Sequence, residues 1–166
     1  MIVDNADPRP LLLVDVDGVL NPWHALELPP GFREYSFFPG ERVLLSEGHG
    51  ELLRSLAGSF ELVWATAWEH KANRFICPVI ALPELPVIEF PQTGPDYLFR
   101  KLPGVVSSIG DRACAWIDDE HQPDHYVWAR ERGVPTLLVD IDPAEGLTPR
   151  VAEQLVQWAA TLPRPD

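Results

Sequence analysis

The chain has few cysteines, few basic residues and no long apolar run, and each shortage excludes a class of protein. Its 166 residues include two cysteines, Cys77 and Cys114, which lack the spacing of metal ligands. Cys114 lies in an apolar run, so we expect packed thiols and not a disulfide. No apolar run approaches the roughly 20 residues that span a membrane, and the first residues show no secretory signal. We therefore expect a cytoplasmic protein without a transmembrane segment.

Basic side chains are outnumbered: 13 lysines and arginines stand against 25 aspartates and glutamates, giving a formal net charge of −12. Such a surface repels the phosphate backbone of nucleic acids and the headgroups of anionic lipids. The charge therefore disfavours long nucleic acids and membranes as partners. It still permits a small phosphorylated substrate, because one metal ion and one lysine can recruit a single phosphate. We expect the protein to be a monomer or a homodimer.

Apolar runs alternate with helical patterns along the chain, and the links between them are short. This alternation is typical of a parallel sheet covered by helices on both faces. We predict one α/β domain, residues 1–166, with a central sheet of about five strands. The predicted strands are 11–16, 60–65, 86–90, 113–118 and 134–139, and the predicted helices include 46–57, 123–132 and 148–162.

Two aspartates end the first apolar run, Leu11–Val14, and they are the most informative feature of the chain. Asp15 and Asp17 flank one residue and are followed by Gly18, which permits a sharp turn. Open α/β sheets bind ligands at the carboxyl ends of their strands, so two charges there indicate a cation or a reaction. Hard oxygen ligands of this kind suit Mg²⁺. The alternative is an ordinary Asp-Gly turn with solvated carboxylates.

A second acidic pair, Asp118-Asp119, follows the apolar run 113–117. Adjacent carboxylates repel each other unless a positive charge intervenes, which again favours a divalent cation. Thr66 ends another apolar run, and Lys101 stands at the start of a predicted helix. A hydroxyl and an ammonium group at the same edge of the sheet could bind phosphoryl oxygens. Taken alone, an exposed lysine or a threonine at a strand end is usually structural, and only the joint pattern indicates a site.

These residues carry a resemblance to a known family. Asp15-Val16-Asp17-Gly18-Val19 resembles the first motif, D-x-D-x-[TV], of the haloacid dehalogenase (HAD) superfamily of phosphohydrolases. Thr66, Lys101 and Asp118-Asp119 follow in the order of the family's other three motifs. The chain is similar in particular to small HAD-like proteins with a Trp-Ala-Thr-Ala-Trp second motif and a Trp-Ile-Asp-Asp fourth motif. Related domains occur in RNA-repair proteins.

The resemblance implies a fold and an activity. The fold would be a Rossmann-like, three-layer sandwich with the strand before Asp15 at its centre and the 113–118 strand beside it. The activity would be that of a Mg²⁺-dependent phosphomonoesterase, a hydrolase that acts through an aspartyl phosphate. Asp15 would attack phosphorus, and Asp17 would give a proton to the departing alcohol and later take one from water.

The same resemblance implies the ligands. Mg²⁺ would be held by Asp15, by the backbone carbonyl of Asp17 and by Asp118, with Asp119 as a water-mediated or alternative ligand. Thr66 and Lys101 would bind the phosphoryl oxygens. The expected partner is a phosphorylated small molecule.

A proline- and aromatic-rich segment, residues 21–45, interrupts the alternating pattern. We call it the flap, because inserts at this place in the family cover the site, and its length allows a hairpin or minimal cap but no cap domain. An essentially capless enzyme is therefore expected. Trp23 in the flap and Trp68 and His70 after Thr66 are candidate substrate-binding residues. Each has an ordinary alternative, since such residues are more often packed or exposed without a ligand.

Three other functions remain open. One is a polynucleotide end phosphatase, although the acidity of the chain counts against it. Another is a HAD-like domain that binds a phosphorylated ligand without catalysis, although Asp15 and the other motif residues are retained. The last is a dehalogenase that attacks carbon, a reaction that requires neither the metal nor Asp17.

Overall fold

The computed structural model describes residues 7–90 and 100–163, and parallel strands alternate with helices through this part of the chain. In chain order the elements are β1 (Leu11–Val14), β2 (Arg33–Tyr35), β3 (Val43–Leu45), α1 (Glu47–Leu56), β4 (Glu61–Trp64), a π-helical turn (Ala72–Ile76), α2 (Cys77–Ile80), α3 (Leu102–Ile109), β5 (Cys114–Asp118), α4 (Pro123–Glu131), β6 (Thr136–Asp140) and α5 (Pro149–Ala160).

Within the described residues the central sheet has four parallel strands in the order β4-β1-β5-β6. β1 is therefore internal, with β4 on one side and β5 on the other. This confirms the predicted parallel sheet, the central place of the strand before Asp15 and the position of the 113–118 strand beside it. Successive residues of β1 face opposite ways, so Leu12 and Val14 enter one apolar cluster and Leu11 and Leu13 enter the other.

Helices cover both faces of this sheet, because each apolar cluster needs a cover. Leu53 of α1 and Leu155 of α5 pack into the first cluster, and Val105 of α3 packs into the second. Residues 7–90 and 100–163 thus form a three-layer α/β arrangement, which is compatible with a Rossmann-like fold. None of the helices in these residues has the length and apolar character needed to cross a membrane.

Helix boundaries follow the capping residues. Ser46 accepts a hydrogen bond from Gly48 N at 3.2 Å at the start of α1, and Thr148 accepts one from Val151 N at 3.3 Å at the start of α5. Side-chain oxygens at these positions satisfy backbone N–H groups that the helix leaves free. The predicted helices 46–57, 123–132 and 148–162 are confirmed to within about two residues.

The predicted strand 86–90 is wrong as a strand. In the described structure this segment makes a single parallel bridge, between Val87 and Trp64. Two features end the pairing. Pro86 has no N–H group to donate, and Phe90 donates its N–H to the side chain of Glu69 at 3.0 Å.

The flap contains the antiparallel hairpin β2–β3, with Arg33 opposite Leu45, as the prediction of a loop or small hairpin anticipated.

Cys77 and Cys114 are free and buried, as predicted, and burial raises the pKa of each thiol to about 11. Both thiols therefore stay protonated at neutral pH and act as packing groups.

Candidate active site at the carboxyl edge of the sheet

Two buried carboxylates lie where neighbouring strands end. Asp15 directly follows β1, and Asp118 is the last residue of β5. The two strands pair with Val14 beside Ile117, so their ends are adjacent. Asp15 is 5% exposed and Asp118 is 2% exposed. Burial of ionised carboxylates is unfavourable unless they are paired, so this arrangement requires a cation.

Lys101 supplies a positive charge between them. It immediately precedes α3, and its Nζ donates to Asp15 Oδ2 at 2.6 Å and to Asp118 Oδ2 at 2.7 Å. Its side chain is 14% exposed. One ammonium group thus holds two carboxylates from different strands next to each other.

Protonation in this group follows from burial and charge. Burial raises the pKa of Asp15, Lys101 lowers it and Asp118 raises it, and the result lies above the ordinary value. Burial alone would lower the pKa of Lys101, but the charges of Asp15 and Asp118 raise it above its ordinary value. Lys101 therefore remains an ammonium ion at neutral pH and is a fixed positive charge at this edge.

A third carboxylate completes an acidic cluster. Asp15, Asp118 and Asp119 each offer an oxygen atom, and these atoms lie within 4.8 Å of one another. Trp23 Nε1 donates to Asp119 Oδ2 at 3.2 Å. Burial, and then the charge of Asp118, raise the pKa of Asp119. A set of carboxylate oxygens at this separation suits a hard divalent cation such as Mg²⁺, which binds oxygen and keeps several waters.

The carboxylate of Asp17 has different partners. Its Oδ1 accepts from Asn21 Nδ2 and its Oδ2 accepts from Trp68 Nε1, both at 2.9 Å. A metal contact of Asp17 would thus use its backbone carbonyl, as the resemblance implies. Gly18 follows with φ +78°, and a Cβ there would lie 2.2 Å from Asp119 Cγ. The turn after Asp17, which packs against Asp119, therefore requires glycine.

Thr66 lies at the end of β4 and is 1% exposed. Its Oγ1 accepts a hydrogen bond from Trp68 N at 3.2 Å, which shapes the turn after the strand. The hydroxyl proton stays available as a donor. The next residue, Ala67, reaches the cavity described below.

A cavity of about 240 Å³ opens between these groups. Six predicted site residues line it: Asp15, Asp17, Trp23, Lys101, Asp118 and Asp119. Its lining also includes Ala67, Glu120, Gln122 and His125, which were not predicted for this site. The last three lie between β5 and the first turn of α4. Their position after the acidic pair at a strand end could have indicated them, because loops at this edge of an open α/β sheet contact ligands.

Three histidines, His70, His121 and His125, make ordinary contacts in the described structure. His70 lies outside this lining on the exposed surface, where its Nε2 is 2.8 Å from Glu89 Oε1. His121 and His125 stand four residues apart, and the ring of His125 stacks on Trp116 with centroids 4.6 Å apart. His125 Nδ1 also accepts from Gln122 N at 3.3 Å, which caps α4.

A larger cavity, about 810 Å³, lies at the opposite edge of the sheet, where residues such as Pro10 and Ala113 precede the strands. Its cationic side chains have carboxylate partners: Arg9 pairs with Asp7 at 2.5 Å, and Arg112 pairs with Glu61. Because these arginines are already paired with carboxylates, they have less tendency to bind a charged ligand. The chemistry of the smaller cavity therefore identifies it as the candidate site.

No protein-family model matches the chain, and no curated protein matches it significantly. Function must therefore be inferred from the geometry and chemistry of this site.

Proposed function

We propose that the protein is a HAD-type, Mg²⁺-dependent phosphomonoesterase that acts through an aspartyl phosphate. One observation carries the proposal: Lys101 Nζ bridges Asp15 and Asp118 at 2.6 and 2.7 Å, in a cavity that Asp17 and Asp119 also line. A single ammonium group among these carboxylates leaves an excess of negative charge. A divalent cation would balance that charge and attract a phosphate monoester.

The first half-reaction transfers the phosphoryl group to the protein. An Asp15 oxygen attacks phosphorus, the bond between phosphorus and the leaving-group oxygen breaks, and that oxygen takes a proton from Asp17. Lys101 faces the developing charge on the phosphoryl oxygens from the α3 side. By the resemblance, the Thr66 hydroxyl would be a second donor; the residue is 1% exposed, and its neighbour Ala67 lines the cavity.

The second half-reaction releases phosphate. Water attacks the phosphorus of the aspartyl phosphate and gives a proton to Asp17, and the bond between phosphorus and Asp15 breaks. The net reaction consumes one phosphate monoester and one water and yields an alcohol and inorganic phosphate. Asp15 and Asp17 return to their starting states.

Asp15, Asp118 and Asp119, together with the backbone carbonyl of Asp17, are the groups that would hold Mg²⁺. When bound, the ion supplies charge stabilisation for the phosphoryl oxygens and keeps the nucleophilic carboxylate ionised. Trp23 Nε1 restrains Asp119 from the cavity wall, so this tryptophan would help to place the ligand set.

The expected substrate is a phosphorylated small molecule. The cavity of about 240 Å³ is small, and the indole of Trp23, which is 53% exposed, stands in its lining. An exposed ring at a cavity wall can stack on the organic part of a substrate.

The proposal is tested by phosphate release from an aryl phosphate with Mg²⁺ and with EDTA. The wild type is compared with Asp15→Asn, which keeps the shape of the side chain and removes the nucleophile. Arg9→Ala, at the opposite edge of the sheet, is the matched control for a lost charged contact. We expect hydrolysis that requires Mg²⁺, a loss of about 10³-fold or more in Asp15→Asn, and unchanged turnover in Arg9→Ala.

Each other outcome has a meaning. Hydrolysis that persists in EDTA or in Asp15→Asn would contradict the proposed chemistry. Tight binding of phosphate esters without turnover in the wild type would favour a ligand-binding domain over a phosphatase.

A further inference from the structure

Asp17 is held at both carboxylate oxygens by N–H donors. Asn21 Nδ2 donates to Oδ1 and Trp68 Nε1 donates to Oδ2, each at 2.9 Å. Two hydrogen bonds from separate directions restrict rotation about the side-chain bonds of Asp17. A carboxylate has about four lone-pair sites, so two contacts still leave sites that can carry a proton.

The indole of Trp68 is fixed by aromatic side chains of the flap. It is 7% exposed, and its ring meets Phe37 edge to face at 6.1 Å and Phe38 at 6.2 Å between centroids. Phe75 contacts the same two phenylalanines at 5.4 and 5.2 Å. Packing of these flap phenylalanines against the Trp68 ring therefore helps to fix the orientation of its N–H group.

Asn21, the first residue of the flap, connects Asp17 to the β2–β3 hairpin. Its side chain is buried, and its Oδ1 accepts from Leu44 N of β3 at 2.9 Å while its Nδ2 donates to Asp17. The oxygen of the Asn21 amide thus accepts a hydrogen bond from the hairpin backbone, and its nitrogen donates one to the Asp17 carboxylate. A shift of the hairpin would move both donors of Asp17.

We infer that Trp68 and Asn21 are positioning residues that fix Asp17 for proton transfer, and that packing of the flap keeps them in place. The inference rests on the proposed function and deepens it. In the first half-reaction the leaving-group oxygen takes the proton of Asp17, and in the second a water proton returns to it. A misplaced Asp17 slows the first step most where the leaving group depends on that proton.

Leaving-group dependence separates positioning from general structural damage. A phenolate with electron-withdrawing substituents departs without protonation, whereas a simple alkoxide requires a proton. The test compares kcat/KM, which reports the steps through phosphoryl transfer and not the shared hydrolysis step, for such an aryl phosphate and for an alkyl phosphate in the wild type, Trp68→Phe and Trp64→Phe. Trp64→Phe is the matched control, because Trp64 is also buried and its Nε1 donates to Asn73 Oδ1 at 2.8 Å, away from Asp17.

We expect Trp68→Phe to lower kcat/KM for the alkyl phosphate by about 10- to 100-fold and for the aryl phosphate by less than about threefold. Trp64→Phe should change both substrates by the same factor. Equal losses for both substrates in Trp68→Phe, or no loss, would overturn the positioning role while leaving the phosphatase proposal intact. A wild type that hydrolyses neither ester would instead overturn the proposed function.

A measurement that does not use activity tests the contact itself. The chain has 6 tryptophans, and the indole N–H signal that disappears in Trp68→Phe identifies Trp68 in a ¹H–¹⁵N spectrum. In Asp17→Ala that signal should shift, and the Trp64 signal should stay in place. A Trp68 signal unmoved by Asp17→Ala would show that the hydrogen bond is not formed and would overturn the inference.

Discussion

The two edges of the parallel sheet differ in how their charges are balanced. At the amino edge each arginine has a carboxylate partner, Asp7 for Arg9 and Glu61 for Arg112, beside a cavity of about 810 Å³. The carboxyl edge has a smaller cavity, about 240 Å³, and Lys101 is the cation among the residues that line it, against several carboxylates. Unbalanced buried charge therefore indicates a functional site better than cavity volume does.

The largest expected effect comes from removing the cation at the carboxyl edge. Lys101→Met keeps most of the unbranched apolar stem but leaves Asp15 and Asp118 buried without the ammonium group. We expect a loss of about 3–5 kcal/mol in the free energy of unfolding, because an unpaired buried charge is strongly unfavourable. Urea denaturation in EDTA measures it. Added Mg²⁺ should restore part of the stability, since a ligand that binds the folded state stabilises it.

A loss of less than about 1 kcal/mol in Lys101→Met would contradict this reading of the carboxyl edge. It would mean that the carboxylates are stable together without the lysine.

Two glycines, one at each edge of the sheet, should give a smaller difference in stability. Gly18 at the carboxyl edge and Gly133 at the amino edge have φ values of +78° and +69°. A Cβ at Gly18 would lie 2.2 Å from Asp119 Cγ, whereas one at Gly133 has nothing within 4 Å. Alanine at either position strains the backbone, so the difference between the variants isolates the contact with Asp119.

We expect Gly18→Ala to be about 1–3 kcal/mol less stable than Gly133→Ala in urea denaturation. It should also weaken Mg²⁺ binding, measured by calorimetry, because Asp119 must move. Equal stability and equal Mg²⁺ affinity in the two variants would show that the Asp119 side chain can move aside at no cost in free energy.

The smallest effect is expected at the amino edge. The Arg9 guanidinium lowers the pKa of Asp7 from 3.8 to about 2. The side chain of Arg9 is 42% exposed, so solvent screens the pair, and Arg9→Ala should lower the free energy of unfolding by less than about 1 kcal/mol at neutral pH. A carboxyl with a lowered pKa in the folded state stabilises above its unfolded pKa and loses that contribution as the pH falls.

The stability difference between wild type and Arg9→Ala should therefore narrow as the pH falls from 3.8 towards about 2. Denaturation curves for both proteins across this range provide the measurement. A difference that widens with acidification would contradict the assigned pairing.

Strand ends indicated the centre of the candidate site, and the resemblance to the HAD motifs implied that the two strands concerned are neighbours. Asp15 and Asp118 follow apolar runs, and parallel neighbours bring such ends together, so their proximity follows from the sheet. Lys101 was predicted at a helix start, and it does precede α3. The resemblance to the HAD motifs selected these residues as one set, and the roles that it implies remain predictions.

The two hydrogen bonds that orient the Asp17 carboxylate could not be predicted in the same way. Asn21 reaches it across the local turn that follows Asp17, and Trp68 reaches it with flap phenylalanines packed on its ring. Neither residue's direction follows from strand or helix periodicity. The sequence makes Trp68 a candidate for substrate binding with packing as the alternative, and the structure shows its ring buried and its N–H donating to Asp17. Likewise, nothing in the sequence around Phe90 indicated that its N–H group donates to the Glu69 side chain and that strand pairing ends there.

The single bridge between Val87 and Trp64 also bears on how copies of the protein meet. A strand at the edge of a sheet offers N–H and C=O groups that can pair with another chain and start aggregation. At Trp64 both groups are occupied, because its N–H donates to Pro86 O and its C=O accepts from Ile88 N, each at 2.9 Å. A second chain could add a strand at this residue of β4 only by displacing residues 86–88. These three residues therefore protect the sheet against edge-to-edge association close to the candidate site.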